Sequence, residues 1–170
     1  MSALSILYLV LPFPLLFILH EAEEVWVQHR WMSAHKESLV LKFPKIRSMV
    51  EYLSHLNTKA FAGAACEELA VLSIATCYVL AGGACAIQLW SALFMAFSLH
   101  LLVHIGQAIA VRGYVPGVVT SLLLSPFAAY GLWSIWLVMS GWELIIWGTT
   151  GVTFMWVNLW FAHWLGRRIS

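Results

Sequence analysis

The sequence predicts an all-α, membrane-embedded bundle of about five transmembrane helices, and three observations carry that expectation. Of 170 residues, 62% are hydrophobic and only 10% are Asp, Glu, Lys or Arg, against roughly 45–50% apolar and 25% charged in a soluble domain. Five segments approach the roughly 20 apolar residues a helix needs to cross the hydrocarbon core, once their embedded polar groups are allowed. Every Lys and Arg falls in, or at the helix mouths beside, connections that five spans place on one side of the bilayer.

The expected spans cover approximately 3–29, 58–81, 84–112, 116–140 and 142–166, within a single membrane domain of residues 1–170. The first has no Lys or Arg before its apolar stretch and no clear small-residue cleavage site, which reads as a retained helix rather than a signal peptide. Pro12 and Pro14 should bend it, because neither supplies a backbone donor to the preceding turn. Gly82-Gly83 and Ser140-Gly141 are natural breaks for tight turns. The connection 30–57 holds most of the charge, and Ile46, Met49, Val50, Leu53 and Leu56 share a helical face that should lie on the membrane surface.

Orientation follows from charge. Arg30, Lys36, Lys42, Lys45, Arg47, Lys59, Arg112, Arg167 and Arg168 all fall on the side of the 30–57 connection, which the positive-inside rule makes cytoplasmic, with the N-terminus outside. The expected location is a cell membrane, crossed several times. A formal charge of +1, with every acidic residue a Glu, points away from nucleic acid as a partner. Cys66, Cys77 and Cys85 are odd in number and lack a Cys-x-x-Cys pair, so no disulfide framework is expected.

Ionisable side chains inside the spans are the functional signal. Such groups cost roughly 2.5–3.5 kcal/mol each on insertion scales and persist where they pair, bind an ion or do chemistry. Counting back from the helix ends at about 1.5 Å per residue places His20 to Glu24, Glu67, Glu68, His100, His104, Asn158 and His163 in one layer of the cytoplasmic half. His20 with Glu23 and Glu24, and His100 with His104, are i, i+3 and i+4 sets that share a helix face. Glu67 and Glu68 point about 100° apart, so one of them is expected in contact with an ion and the other supporting a histidine ring. Glu21 is rotated away from Glu24 and is the weaker candidate.

Imidazole and carboxylate donors from several helices are what a bundle uses to hold a divalent metal, whose charge offsets the carboxylates. His20, Glu23, Glu24, Glu67, Glu68, His100, His104 and His163 are the candidate ligands, enough for two ions. A hydrogen-bonded network tying helices together, and a proton relay, are the competing readings. His29, His35 and His55 read as solvated or interfacial residues, Cys66 as packing, and Glu143 as a favourable charge at a helix N-terminus.

His20, Glu23 and Glu24, then His104 (with His100 the other choice), then Tyr114-Val115-Pro116-Gly117 occur in that order along the chain. In these motifs the chain resembles the largely uncharacterised bacterial membrane family named for its HxxEE motif, which also carries a further histidine and a Tyr-x-Pro-Gly motif. The resemblance implies a membrane-embedded metalloprotein and transfers no reaction; Glu67, Glu68, Asn158 and His163 come from the pattern of the residues alone. Locally, Pro116 can start the fourth helix and Gly113 and Gly117 permit a tight turn. Tyr114 can place its hydroxyl at the interface or toward the polar layer.

Three functions fit these residues. One is a non-haem di-iron oxidoreductase acting on a hydrophobic or lipid-like substrate, with Glu23, Glu67 and Tyr114 as the catalytic residues. Another is an intramembrane zinc hydrolase in which His20, His100 and His104 leave a position for water and a glutamate is the general base. The third is a proton-coupled carrier, which at this length would need a homo-oligomer.

Overall fold

A computed structural model describes residues 8–169, apart from the side chains of Arg167 and Ile169. The described residues form helices and no strand: α1 (Pro12–Lys42), a 3-10 turn (Pro44–Ile46), α2 (Arg47–Ser54), α3 (Thr58–Leu80), α4 (Ala86–Val111), α5 (Val118–Trp136) and α6 (Gly141–Ile169). Four are long and apolar enough to cross a membrane: α3, α4, α5 and the Gly141–Gly166 part of α6. The start of the expected first span, 3–7, lies outside the described residues.

α1 departs from expectation at its C-terminal end. Near the start of the first span the prolines interrupt the helix: residues 8–10 are helical, Leu11 breaks the pattern, and α1 begins at Pro12, where a missing N–H costs least. At the other end the helix continues past His29 to Lys42. Residues 30–42 contain no Gly or Pro, and charge alone does not stop a helix; Pro44 does, because it disfavours helical geometry at Phe43. At 31 residues α1 is about 46 Å long, more than the hydrocarbon thickness.

The amphipathic segment shrinks accordingly to the eight residues of α2. Val50 is buried against Met32, Leu39 and Val40 of the α1 extension, and Leu56 against Ala60 and Phe61. Ile46 and Met49 remain exposed. Part of the face expected on the membrane surface therefore packs on protein instead. Lys42 Nζ donates to the Val111 carbonyl at 3.0 Å, tying the end of α1 to the end of α4.

In the bundle, α6 packs against α3 and α4, α4 also against α5, and α1 against α3 and α5. Gly151 lets α6 approach α4 closely, since a Cβ there would meet the Ala92 backbone. Lipid tails are as apolar as the core, so such close packing is what holds membrane helices together. Phe13 of α1 sits among Trp90, Phe94 and Phe97 of α4 at ring separations of 5.2–6.3 Å. This aromatic wedge fixes α1 against α4, and one to three turns further along both helices carry their polar residues.

Candidate metal centre

α1 supplies His20 and Glu24, and α4 supplies His100 and His104; each pair is i, i+4 and so projects from one face. His20 Nε2, a Glu24 oxygen, His100 Nε2 and His104 Nε2 come together, with donor atoms from these four residues all within 4.8 Å of one another. Glu24 Oε1 lies 2.5 Å from His104 Nε2 and 3.5 Å from Nε2 of both His20 and His100. His100 Nε2 and His104 Nε2 are 3.0 Å apart. In a tetrahedral site with bonds of about 2.0–2.1 Å, neighbouring donors stand about 3.3 Å apart, so the group is close to coordinating geometry.

Hydrogen bonds alone satisfy this group poorly. His20 Nε2 and Glu24 Oε1 are buried without a hydrogen-bond partner, although three imidazole nitrogens ring the carboxylate oxygen. The facing Nε2 atoms of His100 and His104 can share at most one proton between them. Buried polar atoms left in this state are costly. A cation that accepts a lone pair from each resolves all of them, and the group could hold a metal ion.

Glu23 points elsewhere. Its Oε1 accepts from the Tyr114 hydroxyl at 2.9 Å and the Val119 N–H at 3.3 Å; its Oε2 accepts from the Thr120 N–H at 2.8 Å and the Thr120 hydroxyl at 2.6 Å. Val119 and Thr120 open α5, whose N-cap Gly117 has no side chain to satisfy the first-turn donors. Glu23 supplies that cap from another helix and places its charge at the positive end of the helix dipole. Thr120 Oγ1 in turn lies 2.9 Å from His20 Nδ1. Desolvation, and then the Glu23 carboxylate, push the Tyr114 phenol up to about 12, so it remains a donor throughout the neutral range.

The Tyr-x-Pro-Gly segment builds this corner. Pro116 does not start α5; Val118 N–H donates to the Val115 carbonyl at 3.2 Å around Pro116 and Gly117, and Gly117 has φ +82° and ψ −10°. That is a type II turn, with Pro at its second position and a left-handed residue at its third. A Cβ on Gly117 would stand 2.8 Å from Glu24 Oε1 and 2.9 Å from His104 Nδ1, so the turn packs its bare backbone directly on the donor group.

The remaining candidates lie outside the four-donor group. Glu67 accepts from Asn158 Nδ2 at 3.0 Å, joining α3 to α6. Glu68 lines a partly open cavity of about 90 Å³ between α1, α3, α4 and α6, together with Glu21, His100 and Asn158 and with Phe13, Phe97 and Phe154 among its apolar residues. Glu21, the weaker candidate by helical phase, is indeed rotated off the Glu24 face, and that rotation delivers it to this cavity. His163 lies beside the Phe61 and Tyr52 rings at 5.9 and 6.3 Å. His29 donates through Nδ1 to the Leu56 carbonyl at 3.0 Å and His35 to the Trp31 carbonyl at 2.9 Å, both outside the donor group. Thr120 carried no signal in the sequence, being one hydroxyl among many in apolar helices.

A family model described as a protein of unknown function with HXXEE motif matches residues 11–131. No curated protein and no solved structure matches the chain. The matched region takes in His20, Glu23, Glu24, His100, His104, the Tyr114–Gly117 turn and Thr120, which is every residue of the donor group and its hydrogen-bonded support. With the match running over more than two thirds of its length, the chain belongs to the HXXEE family.

Proposed function

We propose that the protein is a multi-pass membrane metalloenzyme in which His20, Glu24, His100 and His104 hold one divalent ion beside a pocket for a hydrophobic substrate. The observation that supports this most is the convergence of four donors with His20 Nε2 and Glu24 Oε1 left buried and unsatisfied. His100 belongs both to the donor group and to the wall of the 90 Å³ cavity, so a molecule there would sit against the ion. When bound, zinc would supply Lewis acidity, whereas iron would add redox chemistry.

The donor count favours iron over zinc. Four protein ligands saturate a tetrahedral zinc ion, and a zinc hydrolase would need Glu24 to act as base rather than ligand. An octahedral ion such as iron keeps two open positions with all four in place. Phe13, Phe97 and Phe154 would hold the apolar part of the substrate and exclude water, and Glu21 and Glu68 would accept protons from its polar part. A second reading, with two ions, is favoured by the same pair: Glu21 and Glu68 would be the carboxylates of the second.

Protein purified in mild detergent should carry about one iron per chain for the mononuclear reading and about two for the dinuclear one. Ala96→Trp, which fills the cavity from α4, should leave metal content unchanged and remove any hydrophobic compound that organic extraction recovers with the wild type. Loss of metal in that variant would place the cavity within the metal's own support rather than beside it. The protein would lie in the bacterial inner membrane with its Lys- and Arg-bearing connections in the cytoplasm and the N-terminus outside. A cysteine replacing Lys45 should then be shielded from an impermeant maleimide in intact cells while one replacing Gly82 is labelled, in a background lacking the native cysteines. The opposite labelling would invert the topology.

A further inference from the structure

The hydrogen bonds around His20 define a proton order, and we propose that Thr120 is a positioning residue that locks His20 in the tautomer with the proton on Nδ1 and the Nε2 lone pair facing the ion. This rests on the metal reading of the four-donor group. It extends that reading to a residue outside the HxxEE and Tyr-x-Pro-Gly motifs.

Glu23 fixes the starting point. Four donors converge on its two oxygens, including backbone N–H groups of Val119 and Thr120 that have no choice but to donate. A side chain surrounded in this way serves as an acceptor on both oxygens. The Thr120 hydroxyl has a single proton, and its 2.6 Å contact with Glu23 Oε2 is far shorter than its 3.3 Å alternative to the Gly117 carbonyl. The proton therefore goes to Glu23. Oγ1 is left with lone pairs only, and the 2.9 Å contact with His20 Nδ1 requires the imidazole to donate.

With Nδ1 protonated, neutral His20 has its lone pair on Nε2, the atom that is fully buried without a partner beside Glu24 Oε1. A carboxylate acting through a hydroxyl thus orients a metal-binding imidazole and fixes its tautomer. The two glutamates of the motif then have different tasks: Glu24 faces the ion directly, and Glu23 acts through Thr120.

Zinc(II), a redox-inert probe, should bind the metal-stripped full-length protein in detergent. Thr120→Val, which keeps the shape and removes the hydroxyl, should weaken that binding about 10–100-fold, the usual loss for an outer-shell partner of a metal-binding histidine. Thr120→Ser should restore it. Glu23→Gln offers a second route, because its amide can donate to Thr120 and turn the hydroxyl toward His20 Nδ1, so it too should weaken zinc binding.

The tautomer is read independently by nitrogen NMR of histidine-labelled, metal-free protein. The His20 resonances, assigned by their loss in His20→Gln, should show a protonated Nδ1 and a bare Nε2. A protonated Nε2 would overturn the proposal whatever the zinc result, and so would a folded Thr120→Val protein that binds zinc as the wild type does. Failure of the wild type to bind zinc, with the NMR result as expected, would instead count against the metal reading and leave the proton order standing.

Discussion

Glu24→Ala is expected to abolish stoichiometric metal, lowering affinity at least about 100-fold, the upper end of what loss of an orienting partner costs. Glu24 is the one carboxylate among three imidazoles, with His104 Nε2 at 2.5 Å and His20 and His100 Nε2 at 3.5 Å. Removing it takes away the negative charge that offsets the ion and leaves three nitrogen donors. His104→Ala should behave alike, because its ring touches both Glu24 and His100. Glu23→Ala should differ in kind: a smaller, roughly 10–100-fold loss of metal affinity, accompanied by destabilisation of about 1 kcal/mol from the lost α5 cap. His35→Ala, whose Nδ1 bonds only the Trp31 carbonyl on an exposed stretch of α1, should change neither. Metal titration of the four variants checks the order, and equal losses at Glu23 and Glu24 would show that the two share one role.

Gly117→Ala carries the second large effect, and it acts through backbone and contact together. The left-handed φ of +82° costs a non-glycine residue about 1–2 kcal/mol. The added Cβ would stand 2.8 Å from Glu24 Oε1 and 2.9 Å from His104 Nδ1, so two members of the donor group must move. The variant should therefore lose thermal stability and metal affinity at once. Gly113→Ala, four residues earlier with open space around its Cβ, should lose neither. Wild-type metal affinity in Gly117→Ala would show that the turn does not bear on the site.

Several features could be read directly from the residues because their cause is local. The four long apolar helices follow from hydropathy and length, and the polar layer from the cost of ionisable groups among apolar ones. The i, i+4 spacing of His20 with Glu24 and of His100 with His104 needed only helical geometry. What escaped the sequence depends on contacts between distant segments. Glu23 and Glu24 are adjacent and both lie near the His20 face; only the placement of the α5 N-terminus beside Glu23 separates their tasks. The same holds for Glu67 and Glu68, which divide between Asn158 and the cavity according to where α6 lies. Charge in 30–42 suggested a loop, although nothing in that stretch breaks a helix before Pro44. Pro116 fits a helix start and a type II turn equally well until Gly117 is seen in its left-handed conformation.

X-ray absorption at the metal edge of the purified, detergent-solubilised protein tests the central claim most directly, since imidazole rings give a recognisable outer-shell scattering pattern. Three imidazoles and one oxygen donor from the protein on a single ion, with nitrogen and oxygen at about 2.0–2.2 Å, is the predicted result. An ion bound without imidazole, or a protein with no stoichiometric metal after purification under conditions that retain it, would contradict the account.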